Sequence, residues 1–142
     1  LVSDATLDLP AEVIEENDIH VIPMGLIVDE VEYMHYPDER NLSVSEFYSK
    51  LKNGSVSHTS QITPAAFHEY FSEILKEGKD ILYIAFSSGL SGTYNTSQLV
   101  ISELAEEYPD RKIISIDSLC ASIGEGLLVY LAAQQKKKGL LT

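Results

Sequence analysis

Cysteine is nearly missing from this chain: Cys120 stands alone among 142 residues. No intrachain disulfide can form, and no CxxC metal pair exists. The four histidines, His20, His35, His58 and His68, fall at no HxxxH or HExxH spacing, so a dedicated zinc site is not expected. Positive charge is scarce too: 10 Lys and Arg against 22 Asp and Glu leave a net charge of −12. Such a surface repels phosphate backbones and anionic headgroups, which sets nucleic-acid and polybasic membrane roles aside. No run approaches the roughly 20 apolar residues of a membrane span. A cytoplasmic protein with no membrane anchor is the expectation.

What remains is an ordinary soluble composition, 44% apolar and 23% charged. One domain over residues 1–142 is expected, large enough to bury a core without staples. The chain opens on Leu1-Val2-Ser3-Asp4 and closes on Gly139-Leu140-Leu141-Thr142. Those ends suggest part of a longer protein.

Leu1–Ser3 reads as the end of a buried strand, and Asp8-Leu9-Pro10 as the capped opening of a helix running to about Asn17. Residues 19–28 are β-rich and continue through Val31 and Tyr33 across a hairpin at Asp29-Glu30. Ser43 or Ser45 caps a helix that Asn53-Gly54 ends. Residues 55–62 are hydroxyl-rich and read as loop, with Thr63-Pro64 capping the next helix. That helix places Phe67, Tyr70, Phe71, Ile74 and Leu75 on one stripe. Residues 81–86 form a near-continuous apolar run, as in a parallel strand covered on both faces. A Ser- and Gly-rich turn leads into a helix from about Gly92 to Tyr108. Residues 112–116 read as another buried strand. A last helix, from about Cys120 to Lys138, carries Ile123, Leu127, Leu128 and Leu131 as its apolar residues and ends at Gly139. Helices alternating with apolar strands predict the α/β class, a three-layer α/β/α arrangement with a mainly parallel, doubly wound sheet.

Ligands of such folds bind outside the carboxyl ends of the strands. Ser3-Asp4-Ala5-Thr6, Ser87–Thr93 and Asp117-Ser118 map there, and Thr59-Ser60-Gln61 lies just before a helix. In the Ser87–Thr93 turn, Gly89 and Gly92 allow close approach, Ser91 and Thr93 supply hydroxyls, and the following helix offers unpaired N–H groups. A carboxylate or phosphate would be stabilised there without lysine or arginine; plain helix capping is the competing reading. Lacking the lysine of GxxxxGK[ST], the turn is not a Walker A loop. Thr93 replaces the final Gly of a GxSxG nucleophile elbow. A serine acyl hydrolase or phospho-ligand enzyme built on Ser91 would need a base, and the chain offers only His58 or Asp117.

Asp4–Pro10, Val21–Met24, Thr59-Ser60-Gln61, Ser87–Tyr94 (SSGLSGTY) and Asp117-Ser118, in this order and spacing, resemble the DegV family of bacterial lipid-binding proteins. The resemblance implies a long-chain fatty acid as ligand, with no other cofactor. Its carboxylate would be held by Thr59 and Ser91, with backbone N–H groups around Gly92 assisting. Ser60, Asp117 and Ser118 are weaker candidates for the same site. It further implies that the chain is the N-terminal part of a longer two-domain protein, a non-enzymatic subunit that presents the acid to an ATP-dependent fatty acid kinase. Ala5 stands where the family usually has Ser, so no binding role is carried to that position.

Overall fold

The computed structural model describes residues 1–141. Strand β1 (Val2–Asp4) runs into a 3-10 turn (Ala5–Leu7) and helix α1 (Ala11–Glu16). Then come β2 (His20–Ile22), β3 (Met24–Val28), β4 (Val31–His35), α2 (Val44–Lys52), β5 (Ser57–Ser60) and α3 (Pro64–Lys76). Strand β6 (Ile81–Ala85), α4 (Thr93–Glu107), β7 (Ile113–Asp117) and α5 (Ile123–Lys137) complete the described chain.

Four strands form a parallel sheet in the order β2-β1-β6-β7, the predicted α/β core. Side chains alternate across β6. Ile81, Tyr83 and Ala85 join Phe67 and Phe71 of α3 and Val100 and Leu104 of α4 in one core. Ile84 joins Ile14 of α1 and Val129 and Ala133 of α5 in the other. Helices thus cover both faces, giving the three layers.

The second sheet departs from the sequence reading. Pro23, which has no N–H to donate, divides the β-rich stretch; β2 enters the parallel sheet and β3 starts another. That three-stranded antiparallel sheet has the order β4-β3-β5. The β3–β4 hairpin turns at Asp29 and Glu30, whose φ values of 49° and 69° suit a tight two-residue turn. Its third strand is part of the hydroxyl-rich segment read as loop. Thr59 pairs with Leu26 and Ser60 with Gly25.

Three further expectations are corrected. Asp8 does not cap α1; it is left-handed (φ 50°) and closes the 3-10 turn, while Pro10 precedes α1 without a side-chain cap. Strand β7 is not buried on both faces, because it lies at the sheet edge with alternate residues outward. Helix α5 starts at Ile123, and the face it buries is Glu125, Gly126, Val129 and Ala133. Leu127, Leu128 and Leu131 point outward with Ile123. The caps Ser43 and Thr63, and the left-handed Gly78 and Gly139 beyond α3 and α5, fall where the sequence places them.

Candidate functional site

From β1 the chain crosses to one side, to β2; the segment after β6 crosses to the other, to β7. Adjacent strands whose connections diverge leave a crevice at their carboxyl ends. A cavity of about 560 Å³ opens there, lined by Asp4 at the end of β1, by Thr6 of the 3-10 turn, and by Phe86, Leu90, Ser91 and Thr93 after β6. The end of β5 and the approach to α3 add Thr59, Ser60, Gln61 and Ile62. The second sheet therefore carries the TSQ segment to the parallel sheet's crevice.

Local hydrogen bonds fix the turn before α4. Ser91 N–H donates to the Ser87 carbonyl (3.1 Å), and Gly89 N–H to Ser87 Oγ (3.2 Å). Thr93 N–H donates to Ser91 Oγ at 3.2 Å, and the Ser91 and Thr93 hydroxyls lie 2.9 Å apart. This hydroxyl pair stands at the N-terminus of a 15-residue helix, where the macrodipole favours an anion. A Cβ on Gly92 would come within 2.9 Å of the Gln61 side chain. Glycine thus lets the two loops close on each other. Likewise a Cβ on Gly25 would fall 2.1 Å from Ser60 Oγ.

Thr59, Ser60 and Ser91 line this cavity, and Gly92 sits directly beside it. Asp117 and Ser118 do not line it. Asp117 accepts from the N–H groups of Ser88 (3.0 Å) and Leu119 (3.1 Å). Hydrogen bonding from Ser88 holds its carboxyl below the usual range. Ser118 Oγ accepts from Cys120 N–H at 3.1 Å. Asp117 thus ties the turn after β6 to the β7–α5 connection, and Ser118 Oγ braces that connection from within. No histidine lines the cavity, and the side-chain partner of Ser91 is Thr93 rather than a base.

The cavity floor holds an acidic network that sequence spacing only half disclosed. Asp4 Oδ1 accepts from Thr6 N–H (3.1 Å) and Thr6 Oγ1 (2.5 Å), and Asp4 Oδ2 from the Tyr83 hydroxyl (2.8 Å) and Phe86 N–H (3.4 Å). Glu125 of α5 reaches the same place. Its Oε2 lies 2.8 Å from Thr6 Oγ1 and its Oε1 3.0 Å from Ser3 Oγ. Burial, and then the nearby Asp4 charge, push the Glu125 carboxyl up to about 8. Burial likewise raises the Tyr83 phenol well above its ordinary value.

Met24 and Thr59 also line a neighbouring cavity of about 390 Å³ between α2 and the antiparallel sheet. Leu26, Leu42, Val44, Phe47 and Tyr48 give it apolar walls. The two cavities thus share two wall residues. Among the described residues, no group of His, Cys, Asp and Glu is arranged to hold a metal ion. Nor is any helix among them long and apolar enough to cross a membrane.

Residues 1–141 match the family model described as "Uncharacterised protein, DegV family". A DegV domain-containing protein of Clostridium perfringens is 44% identical over 137 residues, covering 96% of this chain and 47% of that protein. One from Staphylococcus aureus is 34% identical over 142 residues, 100% of this chain and 48% of that protein. The chain spans about half the length of the curated relatives it matches. Among solved structures, a stearic-acid-binding protein from Eubacterium ventriosum superposes with a TM-score of 0.88 at 25% identity, over 98% of this chain and 47% of that one. A fatty-acid-binding DegV family protein from Thermus thermophilus gives 0.82 at 28% identity, over 97% and 47%.

Proposed function

The chain belongs to the DegV family, and from that premise we propose that it binds a long-chain fatty acid. Thr59 and Ser91 hold the carboxylate, assisted by Ser60, Thr93 and the backbone at Gly92. The observation that carries this reading is the meeting of those hydroxyls in one cavity at the N-terminus of α4, with no lysine or arginine in its wall. Hydroxyl and amide donors at a helix N-terminus suit a single carboxylate. The neighbouring apolar cavity and the fatty-acid-binding solved relatives agree with an acyl ligand.

Binding is favoured over ester hydrolysis because Ser91 has a hydroxyl neighbour where an activated nucleophile needs a base. The protein is thus read as a carrier with no chemistry of its own; its place in the cytoplasm is proposed from the sequence reading alone. The presentation of the bound acid to an ATP-dependent fatty acid kinase rests on the family resemblance. That this chain is part of a longer protein is supported by its 47–48% share of its relatives' length; that it is the N-terminal part rests on the family resemblance.

Mass spectrometry of lipid extracted from the denatured full-length protein tests the reading. A long-chain fatty acid is expected at near-stoichiometric yield. Ser91→Ala weakens retention by about 1–3 kcal/mol, the scale of a hydrogen bond to a charged group; the Thr59→Ala, Ser91→Ala double variant retains still less. Lipid-free wild type that takes up no added palmitate or oleate rejects the function. Undiminished lipid in the double variant rejects the residue assignment.

A further inference from the structure

Two hydroxyls beneath the cavity are each asked for two hydrogens and have one. Ser3 Oγ lies 2.9 Å from the Ile84 carbonyl and 3.0 Å from Glu125 Oε1. Thr6 Oγ1 lies 2.5 Å from Asp4 Oδ1 and 2.8 Å from Glu125 Oε2. A carbonyl and an ionised carboxylate only accept, so with Glu125 ionised the contacts outnumber the hydrogens. Asp4 already receives two N–H groups and the Tyr83 hydroxyl. Glu125 receives no N–H, is wholly buried, and is the group common to both hydroxyls. One further hydrogen, on Glu125, settles Thr6, and Ser3 keeps its single hydrogen between the Ile84 carbonyl and Glu125 Oε1.

We propose that Glu125 is a positioning residue for the head-group cavity: as a neutral acid it donates from Oε2 to Thr6 Oγ1 and turns the Thr6 hydrogen onto Asp4. The floor then carries one negative charge, on Asp4, rather than two. The proposal rests on the fatty-acid reading in one respect, that the occupant of the cavity is an anion. A second buried charge below a bound carboxylate would repel it through protein that screens poorly, and would leave Thr6 with one hydrogen between two acceptors.

The groups facing Glu125 are Asp4 at the end of β1, Asp8 beyond the 3-10 turn, and Tyr83 of β6, with Ser3 and Thr6 as its hydroxyl partners. Asp4 and Asp8 both oppose its ionisation. The Tyr83 phenol, raised well above its ordinary value, stays neutral in the working range. A carboxyl raised from 4.5 to about 8 by folding gives an unfolded chain that loses its proton first. Stability contributed by this group is therefore complete below about 4.5 and declines as pH rises towards about 8.

The test uses full-length protein, wild type and Glu125→Gln, which keeps the donor and acceptor but cannot ionise. Without ligand, the carbon-13 resonance of the Glu125 carboxyl is followed with pH. A neutral acid through neutrality is expected, ionising near 8. With radiolabelled palmitate, wild-type retention falls about tenfold between about pH 7 and about pH 9, as the protonated fraction does; Glu125→Gln extends retention into that range. Unfolding by urea shows the declining stability in wild type and a flatter profile in the variant. A Glu125 resonance already ionised at neutral pH overturns the proposal, as does one retention profile shared by both proteins. Should neither protein bind palmitate at any pH while Glu125 titrates as a neutral acid, the fatty-acid reading fails and the carboxyl assignment stands. If the variant does not fold, the wild-type resonance decides.

Discussion

Single residues set how closely the pieces of this site approach. Gly126 is the sharpest case, since a Cβ there would stand 2.2 Å from the Leu7 carbonyl and against the Leu9 side chain. The first described turns of α5 are thereby pressed onto the 3-10 turn, which brings Glu125 within reach of Thr6. Backbone cannot yield as a flexible side chain can, so Gly126→Ala forces the helix away. A loss of about 1–3 kcal/mol is expected, the usual cost of overpacking. Urea denaturation measures it, and a variant as stable as wild type contradicts the close packing. Ala at Gly92 differs in kind, because its obstacle is the end of the mobile Gln61 side chain; there the fold is retained.

At the scale of elements, support is uneven. Strand β6 is central in the parallel sheet and almost wholly buried, whereas α2 buries no residue fully and β5 is a polar edge strand. Local opening is easiest where few apolar contacts hold a segment. Amide hydrogen exchange is therefore expected to be slowest in β6 and several orders faster in α2 and β5; equal protection in all three would contradict this. The same contrast explains what the sequence could disclose. Ile81–Ala85 is legible because a strand covered on both faces must be apolar throughout. Ser57–Ser60 is illegible because its only demand is backbone pairing with β3, which leaves no periodic trace in Ser-His-Thr-Ser. The Ser87–Thr93 turn could be read as an anion site because glycine and hydroxyls carry local meaning. Glu125 could not, since the residues that bury it, Ser3 and Thr6, lie over 100 positions away. The apolar residues of α5 misled for a related reason. Leucines drew the face, while contact with the 3-10 turn requires Gly126, and Val129 and Ala133 fill the core instead.

Across the whole molecule, two opposing forces act on this chain in isolation. Leu119 (74% exposed), Ile123 (61%), Leu127 (55%) and Leu131 (48%) present apolar surface from the β7–α5 connection and α5. Ile114 and Ile116 add the outward side of edge strand β7. Contiguous apolar surface favours association, and an unpaired strand edge adds backbone donors and acceptors. Against this stands a net charge of −12 on every copy. Charge repulsion reaches as far as the screening length, roughly 30 Å at 0.01 M salt and about 3 Å at 1 M, whereas apolar attraction survives salt and strengthens in sulfate. Repulsion therefore wins in dilute buffer and loses in concentrated salt. Sedimentation of the 142-residue chain is expected to show monomer at low ionic strength and reversible association as salt rises. Leu127→Glu combined with Leu131→Glu puts charge inside the patch and keeps the chain monomeric throughout. Association that weakens with salt would instead assign it to ion pairs, of which an acidic chain with 10 lysines and arginines has few to offer.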